Sequence, residues 1–520
     1  MLGRAASTLR GAATITRSLA LARGSSRHVS STTRPTTSTT TTTTRLHSSI
    51  RPGGWAVGVL LAGGVGYYLG NKGDGPLTAT RVAAGGQGGR GRGGGGGGGG
   101  QVQAPRVPAD PSEHEVPVES PVEVLDLAAA NAKIREQASS FVFASDAEGG
   151  RGRVDVVRVS SNNPVEDEWA LGFGRGVGGA GALYAGVYDG HAGWATSAVL
   201  KDALIRYVSS SLGKLPASSD GPSVDAAIQG AFVRLDDRIM ATARRALNAD
   251  YEHGAAAAIR ALAPAIAGSC ALLCVYEPAS RTLRTAVTGD SRAVLGSRTA
   301  GDGDYTYAAE ALSKDQTGFN ADECARLERE HPGELADVID PKTGRLLGIA
   351  VTRGFGDHRW KWSTEDVSSA QGRFYGFGPR QKVKTPPYMT ARPEVTTRRV
   401  SADDFVILAS DGLWDVMSND DAVACVRRWL AAKRRGRAED VTPMESRLMV
   451  GAGGYGAWKA TPDTFAVEDL DSAAVCLVKN ALGGRRRALF CGAATAGAPQ
   501  SRYVRDDMTV QVIFFKDPYA

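Results

Sequence analysis

The first 51 residues contain no Lys, Asp or Glu, and the whole 520-residue chain has only six Cys and seven His. No two Cys form a Cys-x-x-Cys pair, and no His cluster accompanies them. A zinc site or a disulfide framework needs such groupings, and the sequence points to neither. Cys270 and Cys274 sit in the apolar run Ser-Cys-Ala-Leu-Leu-Cys-Val-Tyr and read as small buried hydrophobes. Thiols without a framework suit a reducing compartment. A surplus of positive charge is also missing where a nucleic-acid binder would need it. Residues 1–51 hold eight Arg, and removing these from the net charge of +6 leaves the rest of the chain at −2. The pI of about 8.9 therefore reports the leader, and a nucleic-acid partner is not expected.

What stands at the N-terminus is informative. Residues 1–30 are rich in Arg, Ser and Ala, with Leu and Ile spaced among the Arg. That is the composition of a mitochondrial transit peptide, and with the Thr tract at 36–44 it occupies residues 1–50. Trp55–Gly70 carries no charge, has Trp and Tyr near its ends, and is flanked by Arg51 and Lys72. Its sixteen residues fall short of the roughly 20 that a spanning helix wants. Residues 51–72 are read as a short membrane anchor, a continuation of the leader or a glycine-rich disordered stretch. Residues 73–121 are Gly- and Pro-rich, with eight consecutive Gly ending at Gly100, and read as a flexible linker.

From residue 122 to 520 the chain reads as one folded domain, with loop insertions near 363–385 and 433–465. Tyr184–Tyr188, Ala271–Tyr276, Thr285–Thr288, Phe405–Ala409 and Thr509–Phe515 have the length and composition of strands. Asn131–Ser139, Ala192–Leu212, Val224–Asn248, Asn320–His331 and Asp420–Arg435 have helical periodicity. Strands dominate both ends of the domain, with paired helices between. This predicts antiparallel sheets covered by helices rather than strict βαβ alternation.

Four of the apolar strands adjoin acids. Tyr188 runs into Asp189-Gly190-His191, and Gly289 runs into Asp290-Ser291-Arg292. Ser410 runs into Asp411-Gly412, and Asp506-Asp507 immediately precedes the last strand. Each alone reads as a turn. As a set they are different, because carboxylates gathered at one end of neighbouring strands repel and are costly to bury. A bound divalent cation resolves the conflict, and oxygen ligands select Mg²⁺ or Mn²⁺ over Zn²⁺.

At these residues the chain resembles the metal-dependent protein phosphatases of type 2C. Seven elements occur in that family's order: Asn163-Pro-Val-Glu166-Asp167, Val187-Tyr-Asp189-Gly190-His191-Ala-Gly193, Gly289-Asp290-Ser291-Arg292, Leu312-Ser-Lys-Asp315-Gln, Thr352-Arg353-Gly-Phe-Gly-Asp357, Ala409-Ser-Asp411-Gly-Leu-Trp-Asp415 and Arg505-Asp506-Asp507-Met-Thr509. The resemblance implies a four-layer α-β-β-α sandwich of two antiparallel sheets flanked by helix pairs, with a cleft at one end holding two or three Mg²⁺ or Mn²⁺ ions. It implies that Asp189 bridges two ions, with the Gly190 carbonyl and Glu166 on one of them. Asp411 and Asp506 would hold the other, Asp290 a looser third, and Asp167 would support them from behind. A bridging water, acidified between two ions, would attack phosphorus in line, and His191 would protonate the leaving Ser or Thr oxygen.

A closer likeness is to the mitochondrial pyruvate dehydrogenase phosphatases. It is carried by Ser161-Asn-Asn163-Pro, Gly344-Arg-Leu-Leu-Gly348, Arg359-Trp-Lys-Trp362 and Thr385-Pro-Pro-Tyr388 through Pro393-Glu-Val. The implied substrate is the phosphorylated α subunit of the dehydrogenase's first enzyme (E1). Two departures stand out. The Arg that grips phosphate in many members is replaced here by Ser160, Ser161, Asn162 and Asn163, so phosphate would be held by metal-bound waters, by the Asn side chains, Asn163 among them, or by another Arg; Arg353 is a candidate, with support of the fold as its preferred reading. Asp507 stands where an Asn is usual, and its added negative charge is expected to perturb metal affinity. The alternatives are another mitochondrial phosphoprotein as substrate, an inactive phosphoprotein-binding scaffold at the inner membrane, or, more remotely, a metal nuclease. The compartment follows as mitochondrial: matrix or inner membrane, or the intermembrane space if 55–70 stops during import.

Overall fold

Side chains alternate across a strand, and the central strands here bury both of their faces. In Phe405–Ala409, residues Phe405, Ile407 and Ala409 pack to one side, while Val406 and Leu408 pack to the other. In Gly181–Tyr188, Ala182, Tyr184 and Tyr188 face one way and Leu183, Ala185 and Val187 the other. Such doubly buried strands force a layered architecture. The computed structural model describes residues 123–146, 150–249, 255–299, 306–445 and 458–519. The leader, the Thr tract, the 55–70 segment and the whole Gly/Pro-rich stretch lie outside the described residues, as does 446–457 of the second expected insertion. Among the described residues, no helix is long and apolar enough to cross a membrane.

Two antiparallel sheets form the centre. One has six strands in the order Ala138–Ala144, Arg151–Val159, Met508–Phe514, Phe405–Ala409, Arg292–Thr299 and Thr306–Ala311. The other has five, in the order Glu394–Arg399, Thr282–Thr288, Ala271–Glu277, Gly181–Tyr188 and Glu168–Arg175. Val154, Leu183, Leu272, Val287, Leu408 and Ile513 fill the space between them. Gln511 crosses that layer, its Nε2 donating to the Gly186 carbonyl at 2.8 Å. Helices Asn419–Arg434, Ala473–Ala481 and Arg487–Thr495 cover the outer face of the first sheet. Helices Ala195–Leu212, Gly221–Asn248 and Ala255–Ile266 cover the second. This is the expected four-layer sandwich.

Register then brings the acid-bearing strand ends to one edge. Ala409 pairs with both Arg292 and Val510, and Met508 pairs with Val159. On the other sheet Glu168 pairs with Tyr188, and Ala271 with Thr288. Residues 160–168, 189, 290, 411 and 506–507 therefore all leave the sheets at the same end.

Two boundaries differ from expectation. The first helix is Leu127–Arg135 rather than 131–139, because the Asp126 side chain caps it by accepting from Ala129 N at 2.7 Å. The β-prone Phe141-Val142-Phe143 that follows belongs to an edge strand. Within the expected loop at 363–385, Ser363 caps a helix, Thr364–Arg373, that buries only Val367 and Ala370. So narrow an apolar stripe is faint in sequence.

Of the two readings of Arg353, phosphate grip and support of the fold, its contacts match the second. It is buried and donates to the fully buried Glu323 through Nε at 2.9 Å and Nη2 at 2.5 Å, and to the Arg392 carbonyl at 2.8 Å. Glu323 also accepts from Arg326 and from Thr352 Oγ1. Burial opposes the charged carboxylate, but these donors hold its pKa below the ordinary value. The resulting stability is present above the unfolded carboxylate's pKa and is lost as pH falls below it. Glu323→Gln leaves two buried guanidinium groups undercompensated and should cost about 3–5 kcal/mol of unfolding free energy, measured by urea denaturation at pH 7.

Candidate active site

The tightest feature of the shared edge is a group of three carboxylates. Asp189, Asp290 and Asp411 each place one oxygen so that all three lie within 4.8 Å of one another. They come from the ends of Gly181–Tyr188, Thr282–Thr288 and Phe405–Ala409, so both sheets contribute. All three keep partial contact with solvent. Burial first, then the neighbouring carboxylates, push Asp189 and Asp411 well above the ordinary Asp range. Burial also raises Asp290, whose Oδ1 accepts from the Cys270 thiol at 3.2 Å. Behind them, the buried Asp167 has an Oδ2 with no hydrogen-bond partner, and burial with the charge of Asp507 pushes its pKa up to about 7. An all-oxygen, electrostatically frustrated set of this kind fits a hard divalent cation.

Glu166 approaches from the loop after Arg151–Val159. Its Oε1 accepts from Gly193 N at 2.6 Å, and its Oε2 from Asn162 Nδ2 at 2.9 Å. Burial raises its pKa. Asp507 organises this loop. Its carboxylate accepts from Ser161 N at 2.5 Å, Asn162 N at 3.0 Å and Glu166 N at 2.8 Å. Burial opposes its charge, but these donors keep its pKa low. Asp507 is thus the anchor of the Glu166 loop, a role not anticipated for it. Of the two neighbouring Asn, Asn162 meets Glu166, while Asn163 is exposed.

Gly190 is required by close approach, since a Cβ there would lie 2.2 Å from the Glu166 carbonyl oxygen. Asp506 is beside Asp411-Gly412, its Cβ 3.4 Å from the point a Gly412 Cβ would occupy. It stands outside the three-carboxylate group and pairs with Arg502.

A third, small sheet joins Gly190–His191, Gly268–Ser269 and Phe355–Gly356. It sets His191 and Asp357 side by side, with His191 Nε2 2.8 Å from Asp357 Oδ2. A side chain on Gly268 would strike both, its Cβ falling 2.1 Å and 2.3 Å from those atoms. Asp357 takes a left-handed backbone, φ 57°, a conformation that costs about 1–2 kcal/mol for a non-Gly residue. His191 is 29% exposed. Burial, the largest single influence, works against its imidazolium, yet the carboxylates of Asp357, Asp290 and Glu166 together raise its pKa. Arg292 steadies the Asp290 turn by a two-point bond to Asp315, at 3.0 and 2.6 Å, and a 2.8 Å bond to Asn419 Oδ1. Asp357 and Gly268 received no role from sequence, although Asp357 closes one of the seven elements.

A protein phosphatase 2C family model matches residues 182–447. A protein phosphatase 2C homolog of Schizosaccharomyces pombe is 38% identical over 377 residues, covering 70% of this chain and 80% of its own length. The mitochondrial pyruvate dehydrogenase phosphatase 1 of Saccharomyces cerevisiae is 31% identical over 405 residues, covering 70% and 69%. The human mitochondrial pyruvate dehydrogenase phosphatase 2 is 29% identical over 439 residues, covering 70% and 78%. The chain belongs to the protein phosphatase 2C family. It is a protein serine/threonine phosphatase, close to the pyruvate dehydrogenase phosphatase branch.

The repulsion within the carboxylate group has a measurable consequence. Acids whose pKa is raised by folding favour the native state when protonated, so the metal-free protein should lose stability as pH rises through their titration. Asp411→Asn removes one charge from the group. It should stabilise the metal-free protein by about 1–2 kcal/mol, the scale of a one-unit pKa shift, and should abolish the rise in melting temperature on adding Mn²⁺. Differential scanning fluorimetry with and without Mn²⁺ reads both effects.

Proposed function

We propose that this phosphatase uses Mg²⁺ or Mn²⁺, two or three ions, to hydrolyse phosphoserine or phosphothreonine in mitochondria, and that its substrate is the phosphorylated α subunit of pyruvate dehydrogenase E1. The observation that carries the chemistry is the meeting of Asp189, Asp290 and Asp411 oxygens within 4.8 Å. Asp189, Asp290, Asp411, Asp506, Glu166 and the Gly190 carbonyl would hold the ions. A bound divalent cation supplies charge against the phosphate and acidifies water.

The chain's own groups do the rest. Asp507 and Asn162 hold Glu166 at the edge of the group. His191, charged by Asp357, donates a proton to the departing Ser or Thr oxygen. The substrate and compartment are supported by the mitochondrial pyruvate dehydrogenase phosphatases among its relatives. The Arg-rich, acid-free leader supports the same compartment.

Purified protein with Mn²⁺ should release phosphate from a phosphorylated E1α peptide. The rate should fall at least about 100-fold in Asp411→Asn or in EDTA, given the several kcal/mol such ions contribute. Undiminished turnover in EDTA refutes the proposed chemistry. Asp357→Asn removes the charge that keeps His191 protonated. A general acid must carry its proton, so the alkaline limb of the kcat–pH profile should move to lower pH in that variant. In mitochondria stripped of their outer membrane, the domain should resist added protease, as a matrix substrate demands.

A further inference from the structure

A phosphate monoester is an anion approaching an edge rich in carboxylates, so cationic side chains at that edge decide how it is received. Most of the guanidinium groups nearby are committed. Arg292 is locked by Asp315 and Asn419, and Arg158 by Glu168 and the Asp167 carbonyl. Arg353 is locked by Glu323, and Arg505 donates to the Ser160, Ala493 and Ala496 carbonyls. Lys459, also exposed, donates to the Asp415 carbonyl.

Arg502 differs. It lies on the short helical turn Gln500–Tyr503, next to the 160–166 loop that in this chain carries Ser and Asn and no Arg. Its side chain is 45% exposed, it pairs with Asp506, and its Nη1 reaches Ser161 Oγ at 3.4 Å. Asp506 adjoins Asp411-Gly412 and is itself within reach of solvent, so the pair sits on the rim of the carboxylate group rather than beneath it. An exposed ion pair of this type is weak, worth about 0–1 kcal/mol, and exchanges partners readily. A guanidinium presents a planar fork that matches two phosphate oxygens.

We propose that Arg502 binds the substrate's phosphate, with Asp506 serving as its internal counter-ion until a stronger cation takes that carboxylate. This rests on the phosphatase reading above and adds to it the residue that grips the anion. Asp506 then serves Arg502 and the divalent ion in turn, so ion binding and phosphate binding are coupled through one side chain.

The test uses the full chain, with Arg502→Gln and Arg502→Lys. Inorganic phosphate is titrated calorimetrically into each protein in the presence of Mn²⁺, Mn²⁺ affinity is read by electron paramagnetic resonance of the free ion, and phosphopeptide KM and kcat are measured. A charge-assisted, two-point contact is worth enough that Arg502→Gln should weaken phosphate binding at least about 10-fold. KM should rise by a similar factor, and Mn²⁺ binding should be as tight as in the parent or tighter. Arg502→Lys should keep the parent's melting temperature and recover part of the phosphate affinity. Phosphate affinity within twofold of the parent in Arg502→Gln overturns the proposal. So does a parallel loss of Mn²⁺ affinity, which would make Arg502 a support for Asp506. Absence of Mn²⁺-dependent turnover in the parent would instead count against the phosphatase chemistry, while the phosphate titration would still decide the role of Arg502.

Discussion

Mutual repulsion among carboxylates at one end of the sandwich is the constraint around which the molecule is arranged. Asp189, Asp290 and Asp411 are held closer together than isolated anions tolerate, because each terminates a strand whose position is set by the apolar packing of both its faces. Val406 and Leu408 on one side, and Phe405 and Ile407 on the other, leave Phe405–Ala409 no freedom to move Asp411 away. The energy that folding gains in the layers is what keeps the acids in a strained grouping, ready for an external cation.

Around that grouping, each remaining carboxylate is given a separate use by its local partners. Asp507 accepts three backbone N–H bonds and becomes a loop anchor. Glu323 is enclosed by two Arg in a buried network of its own. Asp357 faces His191 across Gly268 and helps raise the pKa of the imidazole. Asp506 is the member of the expected ligand set paired with an exposed cation, Arg502. Residues of a single chemical type thus divide into a crowded acidic group, loop anchors and a partner for His191 according to the donors that surround them.

Doubly buried strands are legible in sequence because their apolar runs are continuous, and Ala271–Glu277 and Phe405–Ala409 declare themselves this way. The acids at their ends are equally plain. Edge strands such as Ala138–Ala144 and Thr306–Ala311 are half-exposed and lack that pattern. Two-residue strands have no pattern at all, so nothing local announces that Gly268 lies between His191 and Asp357. The choice of Asn162 over Asn163 depends on a single-residue rotation of the chain, and the capture of Arg353 by Glu323 is a contact across 30 residues. Neither is written in composition or spacing.

The central claim is that the strand ends form a pocket for divalent ions. Crystals grown with Mn²⁺ and measured at a wavelength where manganese scatters anomalously test it without recourse to activity. Anomalous peaks in contact with the carboxylates of Asp189 and Asp411, with Asp506 turned away from Arg502 toward one of them, are the predicted result. A map with no manganese among Asp189, Asp290 and Asp411 would contradict it.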